Sequence, residues 1–313
     1  MYGVFHPSPV YSRLVSTANP TPTVRNFIEL NIAVLFLSTS GVLGRFIPLS
    51  AEMTVWWRAL MGGILLGLFC WYKGYSFRIA SGKPLGVTLA SGVLMAAHWL
   101  LYFYALKLSS VAVAMLAVFT YPAMTTLIEP VLLRIPFEVR HLFLALLVLI
   151  GVYFLAPEFS LSSDVTTGLL CGLASAFMYA LRNVLLKTQL KAVTGSILMF
   201  YQMVIVLIIV SPALGFFPFI PPNEAIPYLI LLGLFTTALG QTMFLMSFRN
   251  FSVTTASILG CINPIFGIGF AALFFREFPP LVSLIGGAFI LSAVLLEAIW
   301  LRRKGKRFDE SVR

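Results

Sequence analysis

The chain has 313 residues, of which 59% are hydrophobic and 10% charged. Soluble domains run at about 25% charged, so a water-soluble enzyme or signalling domain is excluded and the solvent for most of the chain is lipid. The formal net charge of +10 does not signal nucleic acid: the cations fall in short loops between apolar runs and in Arg302, Arg303, Lys304, Lys306 and Arg307, a pattern that sets orientation in a bilayer and meets anionic headgroups.

Residues 1–26 are polar and proline-bearing, lack an apolar signal core, and read as a cytoplasmic tail. A membrane crossing needs roughly 20 mostly apolar residues. In chain order the candidates are Phe27–Phe46, Met53–Trp71, Pro84–Leu106, Ser109–Leu133 and Val139–Leu155. A polar break, PEFSLSSD, gives an external linker at 157–164. Then come Val165–Lys187, Thr194–Gly215, Ile226–Phe248, Ser252–Phe275 and Pro280–Leu301, followed by a basic tail at 302–313. The expected fold is therefore an all-α polytopic membrane protein of ten transmembrane helices, five in each half (27–156 and 165–301). Cys70, Cys171 and Cys261 lie inside apolar runs without CxxC spacing and read as packing residues.

With the N-terminus in the cytoplasm, that side collects Arg13, Arg25, Lys73, Arg78, Lys83, Arg134, Arg140, Lys187, Lys191, Arg249 and the basic tail. The other side keeps Arg45, Lys107 and Arg276. The bias predicts both termini inside. An odd number of crossings per half then makes the halves inverted.

The halves also match as sequence. A shift of 142 positions lays Ser110 on Ser252, Val111 on Val253, Ala114 on Ala256, Pro122 on Pro264 and Arg134 on Arg276 without a gap. Inverted repeats offer two related states open to opposite sides, the geometry of alternating access around a midplane site.

The residues carrying a wider resemblance are Arg58 in WWRALMGGILLGL and two stretches, Ala105–Arg134 and Ser247–Glu277. Each stretch is a small-residue helix with a central proline, and over about Phe27–Leu301 the chain resembles the EamA type of the drug/metabolite transporter superfamily. The resemblance implies a ten-helix carrier of small metabolites, with export as the direction. The family closes this helix with a glutamate, as at Glu277, whereas the first copy has Ile135 there and places Glu129 earlier. No family role is carried over to Glu129.

Polar groups inside the spans are the candidate site. Pro122 and Pro264 each remove a backbone donor and free a carbonyl near Val118 and Gly260; the readings are a hinge or cavity-facing carbonyl, against a static kink. His98 and Tyr102 are four apart and share a helix face. With Tyr121 they offer rings and polar tips to a cavity, while Trp99 and Tyr104 read as belt or packing residues. Tyr179 and Asn183 are also four apart; Gln202, Gln241 and Asn263 are amides that need inward-facing partners. Each of these groups either lines a cavity or bonds a neighbouring helix.

Glu129 and Arg182 are expected to pair, since either alone is costly in hydrocarbon. The alternatives are Arg182 on a substrate carboxylate and Glu129 as a proton-coupling group. Arg58 is expected to snorkel or meet Glu52, and Glu297 to serve as an interfacial anchor.

No HExxH, GxSxG or phosphate-binding glycine loop is present, so the reading is a carrier and not an enzyme, with no cofactor and no metal. Its expected partners are a small amphipathic solute such as an amino acid, a proton as coupling ion, and the lipid of a bacterial inner membrane, as monomer or homodimer. The competing readings are a receptor-like or structural membrane protein, or a carrier for a vitamin or nucleotide-sugar-like metabolite.

Overall fold

The computed structural model describes residues 22–109, 111–155, 163–218, 220–276 and 281–312. All regular structure among them is helical. Helix α1 (Val24–Arg45) starts at a capping box in which the Thr23 side chain accepts from the Asn26 N–H and Asn26 returns a bond to the Thr23 N–H. Helix α2 (Ala51–Tyr72) starts at Ser50, whose hydroxyl accepts from the Met53 N–H, and α3 (Lys83–Leu108) carries Pro84 in its first turn, where no donor is needed.

Helices α4 (Val111–Val118), α5 (Tyr121–Leu133) and α6 (Val139–Leu155) complete the first half. The second half holds α7 (Ser163–Lys187), α8 (Gly195–Val210), α9 (Ile226–Leu231), a π-helical stretch Leu232–Gln241, α10 (Thr242–Ser247), α11 (Val253–Gly260), α12 (Asn263–Phe275) and α13 (Leu281–Val312).

Among the described residues eight stretches are long and apolar enough to cross a bilayer, counting α9 to α10 and α11 with α12 as one each; α6 is a shorter apolar helix. The remaining expected crossing is the pair α4 and α5, divided just before its proline. Two short 3-10 turns, Ser211–Gly215 and Asn223–Ala225, fall at the end of the expected crossing 194–215 and just before the expected crossing 226–248. Helix α13 runs on to Val312, so the expected basic tail continues the helix. The expected N-terminal tail up to residue 21, most of the expected linker, Glu277 and Pro280 lie outside the described residues.

The duplication is written in the backbone. In the first half Thr120 N–H bonds the Ala117 carbonyl at 3.2 Å, and 142 positions on Ile262 N–H bonds the Leu259 carbonyl at 3.4 Å. Both are tight turns that interrupt the helix, which restarts with Pro122 or Pro264 in its first turn. The two restarted helices end alike, on Arg134 and Arg276 in the left-handed conformation (φ 53° and 57°).

Helix pairing repeats the same symmetry. The first and second halves meet through α3 with α7, α2 with α8, α6 with α13, and α1 with the π-helical stretch. Exchanging the halves converts the α3–α7 contact into the contact of the π-helical stretch with α1, and returns the α2–α8 and α6–α13 contacts to themselves. The core is thus a seam between repeats, not two separate cores.

That seam is close at Gly62 of α2 and Gly233 of the π-helical stretch. A methyl group on Gly233 would stand 2.9 Å from the Gly62 backbone nitrogen and 2.6 Å from Met61 Cβ. Overpacking of this kind costs about 1–3 kcal/mol. Gly233→Ala is therefore expected to lower the melting temperature of the detergent-solubilised protein. Gly267→Ala, where an added methyl meets nothing within 4 Å, is expected to leave it unchanged; the two melting curves check the seam directly.

Candidate functional site

The buried polar groups converge on Tyr179. Helix α7 presents Ser175, Tyr179, Arg182 and Asn183 along one face, and all four are buried. The Tyr179 ring stacks on His98 of α3 at 4.5 Å between centroids and meets Tyr121 of α5 edge-on at 5.2 Å. His98 Nδ1 lies 2.8 Å from Ser175 Oγ, and that hydroxyl lies 2.9 Å from the His98 carbonyl. The Tyr121 hydroxyl donates to the Ser257 carbonyl of α11 at 3.0 Å. Of these three rings, His98 and Tyr121 are fixed by polar tips that reach the backbone of a neighbouring helix.

Two arginines flank these rings. Among the described residues Arg182 is the largest fully buried side chain. Its Nε donates to Gln202 Oε1 at 2.7 Å, Nη1 to Asn183 Oδ1 at 2.7 Å, and Nη2 lies 3.0 Å from Met199 Sδ. Arg58 stacks over the Trp99 ring with Cζ 4.2 Å from its centroid and donates from Nε to Thr237 Oγ1 at 2.9 Å. All of these partners are neutral. The Asn183 Nδ2, Gln241 Oε1, Thr242 Oγ and Ser257 Oγ atoms are buried without a hydrogen-bond partner.

The expected pairing of Glu129 with Arg182 does not form. Glu129 instead accepts from the Val253 N–H at 2.8 Å and the Thr254 N–H at 2.7 Å, with Lys187 Nζ at 3.8 Å. The reason is the broken helix: α11 opens inside the bundle and exposes N–H groups that hydrocarbon cannot satisfy, and a carboxylate at a helix N-terminus also meets the positive end of its dipole. Arg58 likewise does not reach Glu52, which pairs with Lys107 at 3.4 Å. Glu297 is no interfacial anchor. It is fully buried, accepts from Thr255 Oγ1 at 2.7 Å, and bonds Arg140, with His141 at 3.4 Å.

Of the sequence candidates, His98, Tyr121, Tyr179, Asn183, Gln202, Arg58 and Arg182 join one connected cluster, and Gln241 is buried on the adjoining π-helical stretch. Tyr102 is half-buried with its ring against Phe103, and Asn263 is half-buried at the start of α12. Pro122 and Pro264 are buried at the two helix breaks. Sequence reasoning missed Ser175, Thr237 and Ser257. Only Ser175 carried a signal, since it stands four residues before Tyr179 on the same face; Trp99, read as packing, turns out to be the platform for Arg58.

The two ends of the bundle differ. All eight residues of α11 are buried, whereas in α12 only Pro264 is. Around α11 the Glu129–Lys187 and Glu297–Arg140 pairs tie helices α5, α6, α7 and α13 together, and Lys187 Nζ donates to the Phe251 carbonyl at 2.8 Å.

Comparison with known proteins places this geometry. The EamA-like transporter family matches residues 28–156 and, separately, 166–298. The "Pseudopaline exporter CntI" of Pseudomonas aeruginosa is 26% identical over 272 residues, covering 84% of this chain and 93% of that protein. An "Uncharacterized transporter" of Archaeoglobus fulgidus is 29% identical over 194 residues, 62% of this chain and 70% of that protein. One crystal structure superposes with a TM-score of 0.79 over 90% of this chain and 99% of the other at 18% identity, which is a likeness of fold.

Removing one member of a buried charge pair costs about 3–5 kcal/mol, and Glu129 additionally serves two backbone donors. Glu129→Ala is expected to destabilise the protein by about that much, and Lys187→Ala by less, because Lys187 keeps some solvent exposure (17%) where Glu129 has almost none (2%). Thermal melts of both variants beside wild type test the assignment; equal losses would contradict it.

Proposed function

Because this chain belongs to the EamA-like transporter family, we propose that it moves a small metabolite across the cytoplasmic membrane by alternating access of its two inverted halves, in the direction of export. The observation that carries the reading is the cluster around Tyr179, which draws Arg58, His98 and Tyr121 from the first half and Arg182, Gln202 and Ser257 from the second. A site built from both repeats changes its exposure when one repeat rocks against the other. Its mixture of rings and a few polar tips suits an amphipathic solute such as an amino acid or a relative. The named exporter among the relatives supports the direction.

The charge bias of the loops puts the end bearing Lys187, Arg140 and Arg249 in the cytoplasm, with both termini. The closely packed α11 then closes the cytoplasmic side, and the loosely packed α12 faces out. The two proline breaks are the hinges that exchange these packings, each a short backbone turn absorbing the change. Glu129 is engaged by backbone N–H groups in this state, and no coupling role is assigned to it.

Counterflow in proteoliposomes loaded with a small-molecule cell extract tests the proposal. Saturable exchange of one solute class is expected. Pro122→Ala and Pro264→Ala are each expected to slow it about tenfold, equivalent to about 1.4 kcal/mol on the rate-limiting step, with folding intact. Absence of saturable exchange with any component of the extract would remove the carrier reading; full exchange rates in both variants would remove the hinges.

A further inference from the structure

Among the described residues, the carboxylates inside the bundle are all engaged away from the two buried arginines. Glu52 meets Lys107, Glu129 meets the α11 N–H groups and Lys187, and Glu297 meets Arg140, His141 and Thr255. Among the described residues no Asp or Glu pairs with Arg58 or Arg182. Arginine stays protonated in proteins, so two cations stand in the middle of the bundle with neutral partners only. Buried charges are otherwise paired, and an unpaired one is retained at a cost in stability.

The hydrogen bonds of Arg182 show what is left to offer. A guanidinium carries five N–H groups. Nε and one N–H on each terminal nitrogen are used by Gln202, Asn183 and Met199, which leaves one N–H on each terminal nitrogen. Beside them, Asn183 Nδ2 is a buried donor without a partner. Two planar donors on one fork match the two oxygens of a carboxylate. Gln241 Oε1 is a buried acceptor without a partner, suited to an N–H or O–H of the same molecule, and the Tyr179 ring centroid stands 5.8 Å from Arg182 Cζ.

From this we infer that the transported solute is an organic acid whose carboxylate is held by Arg182, with Asn183 Nδ2 as a third donor and Arg58 supplying the second positive charge. The inference rests on the carrier reading above and narrows its solute. Arg182 and Asn183 are binding residues here, and Gln202 is a positioning residue that holds the Arg182 fork in plane.

Matched acid and amide pairs separate this from a structural role for the arginines. Thermal melts of the detergent-solubilised full chain are run with L-glutamate against its diamide, L-aspartate against its diamide, citrate against its triamide, and glycerol 3-phosphate. An acid that binds raises the melting temperature by several degrees at about 100 times its dissociation constant, and its amide does not. Arg182→Gln is expected to abolish that rise while the unliganded melting temperature changes little, and Arg182→Lys to retain part of it. Arg58→Gln is expected to weaken it.

Equal shifts from acid and amide, a shift only with the phosphate ester, or no shift with any acid overturn the inference. An acid shift that survives in both Arg182→Gln and Arg58→Gln overturns the assigned residues. Should Arg182→Gln fail to fold, the acid and amide comparison on wild type still decides the solute class. Counterflow of the cell extract reports separately on the carrier: exchange of neutral solutes alone, equal in wild type and Arg58→Gln, keeps the carrier and discards the acid.

Discussion

Two backbone N–H groups, those of Val253 and Thr254, set the terms for much of this structure. They open a helix inside a membrane bundle, where no water can take their bonds, and they are answered by the Glu129 carboxylate at 2.8 and 2.7 Å. With Glu129 committed there, Lys187 comes to it, and the segments around 129, 187 and 253 are drawn to one end of the bundle. Arg182, one of two buried arginines left without a carboxylate, is then accommodated by neutral groups. One satisfied helix terminus thus accounts both for the packed end and for the unpaired cation at the centre.

The scaffold beneath is close to symmetric while the chemistry on it is not. The breaks at Thr120 and Ile262, the prolines after them and the left-handed ends at Arg134 and Arg276 repeat at a constant interval. The 142-shifted partner of Glu129 is Ala271, that of Arg58 is Phe200, and that of Arg182 is Ser40. Duplication supplies the matched backbone of the two halves; substitution of single residues then distinguishes the two ends and places the buried arginines on that backbone.

Architecture was legible in the sequence because lipid leaves little choice. Long apolar runs must be helices, the prolines mark where those helices break, and the 142-residue register follows from identities that need no structure. The site was legible as a set of polar residues in spans, and most of them gather at Tyr179. Pairings were not legible. Glu129 and Arg182 sit at similar depth by counting, yet depth says nothing about azimuth, and the competitor for Glu129 was a backbone terminus that no side-chain inventory contains. Glu297 was misjudged for a related reason: its position near the end of a crossing suggested solvent, whereas α13 continues as helix and packs along α6, which buries the carboxylate against Arg140 and His141. Thr237 was invisible because a hydroxyl on a helix ordinarily bonds its own preceding turn, and Ser257 because it joins the site through its backbone carbonyl.

The position of Arg58 follows the same physics as that of Arg182 but by a different route. A cation about one turn into a crossing has the option of reaching outward to Glu52, only six residues earlier in the chain. Glu52 lies at the start of α2, where its charge favours the helix N-terminus, and Lys107 meets it from the end of α3. Arg58 turns inward instead, onto the face of Trp99, which attracts it electrostatically without neutralising it. Both arginines are thereby solvated by the protein but keep their charge. On the reading inferred above, the cost of holding two cations among neutral partners would be offset whenever an anionic solute is bound between them.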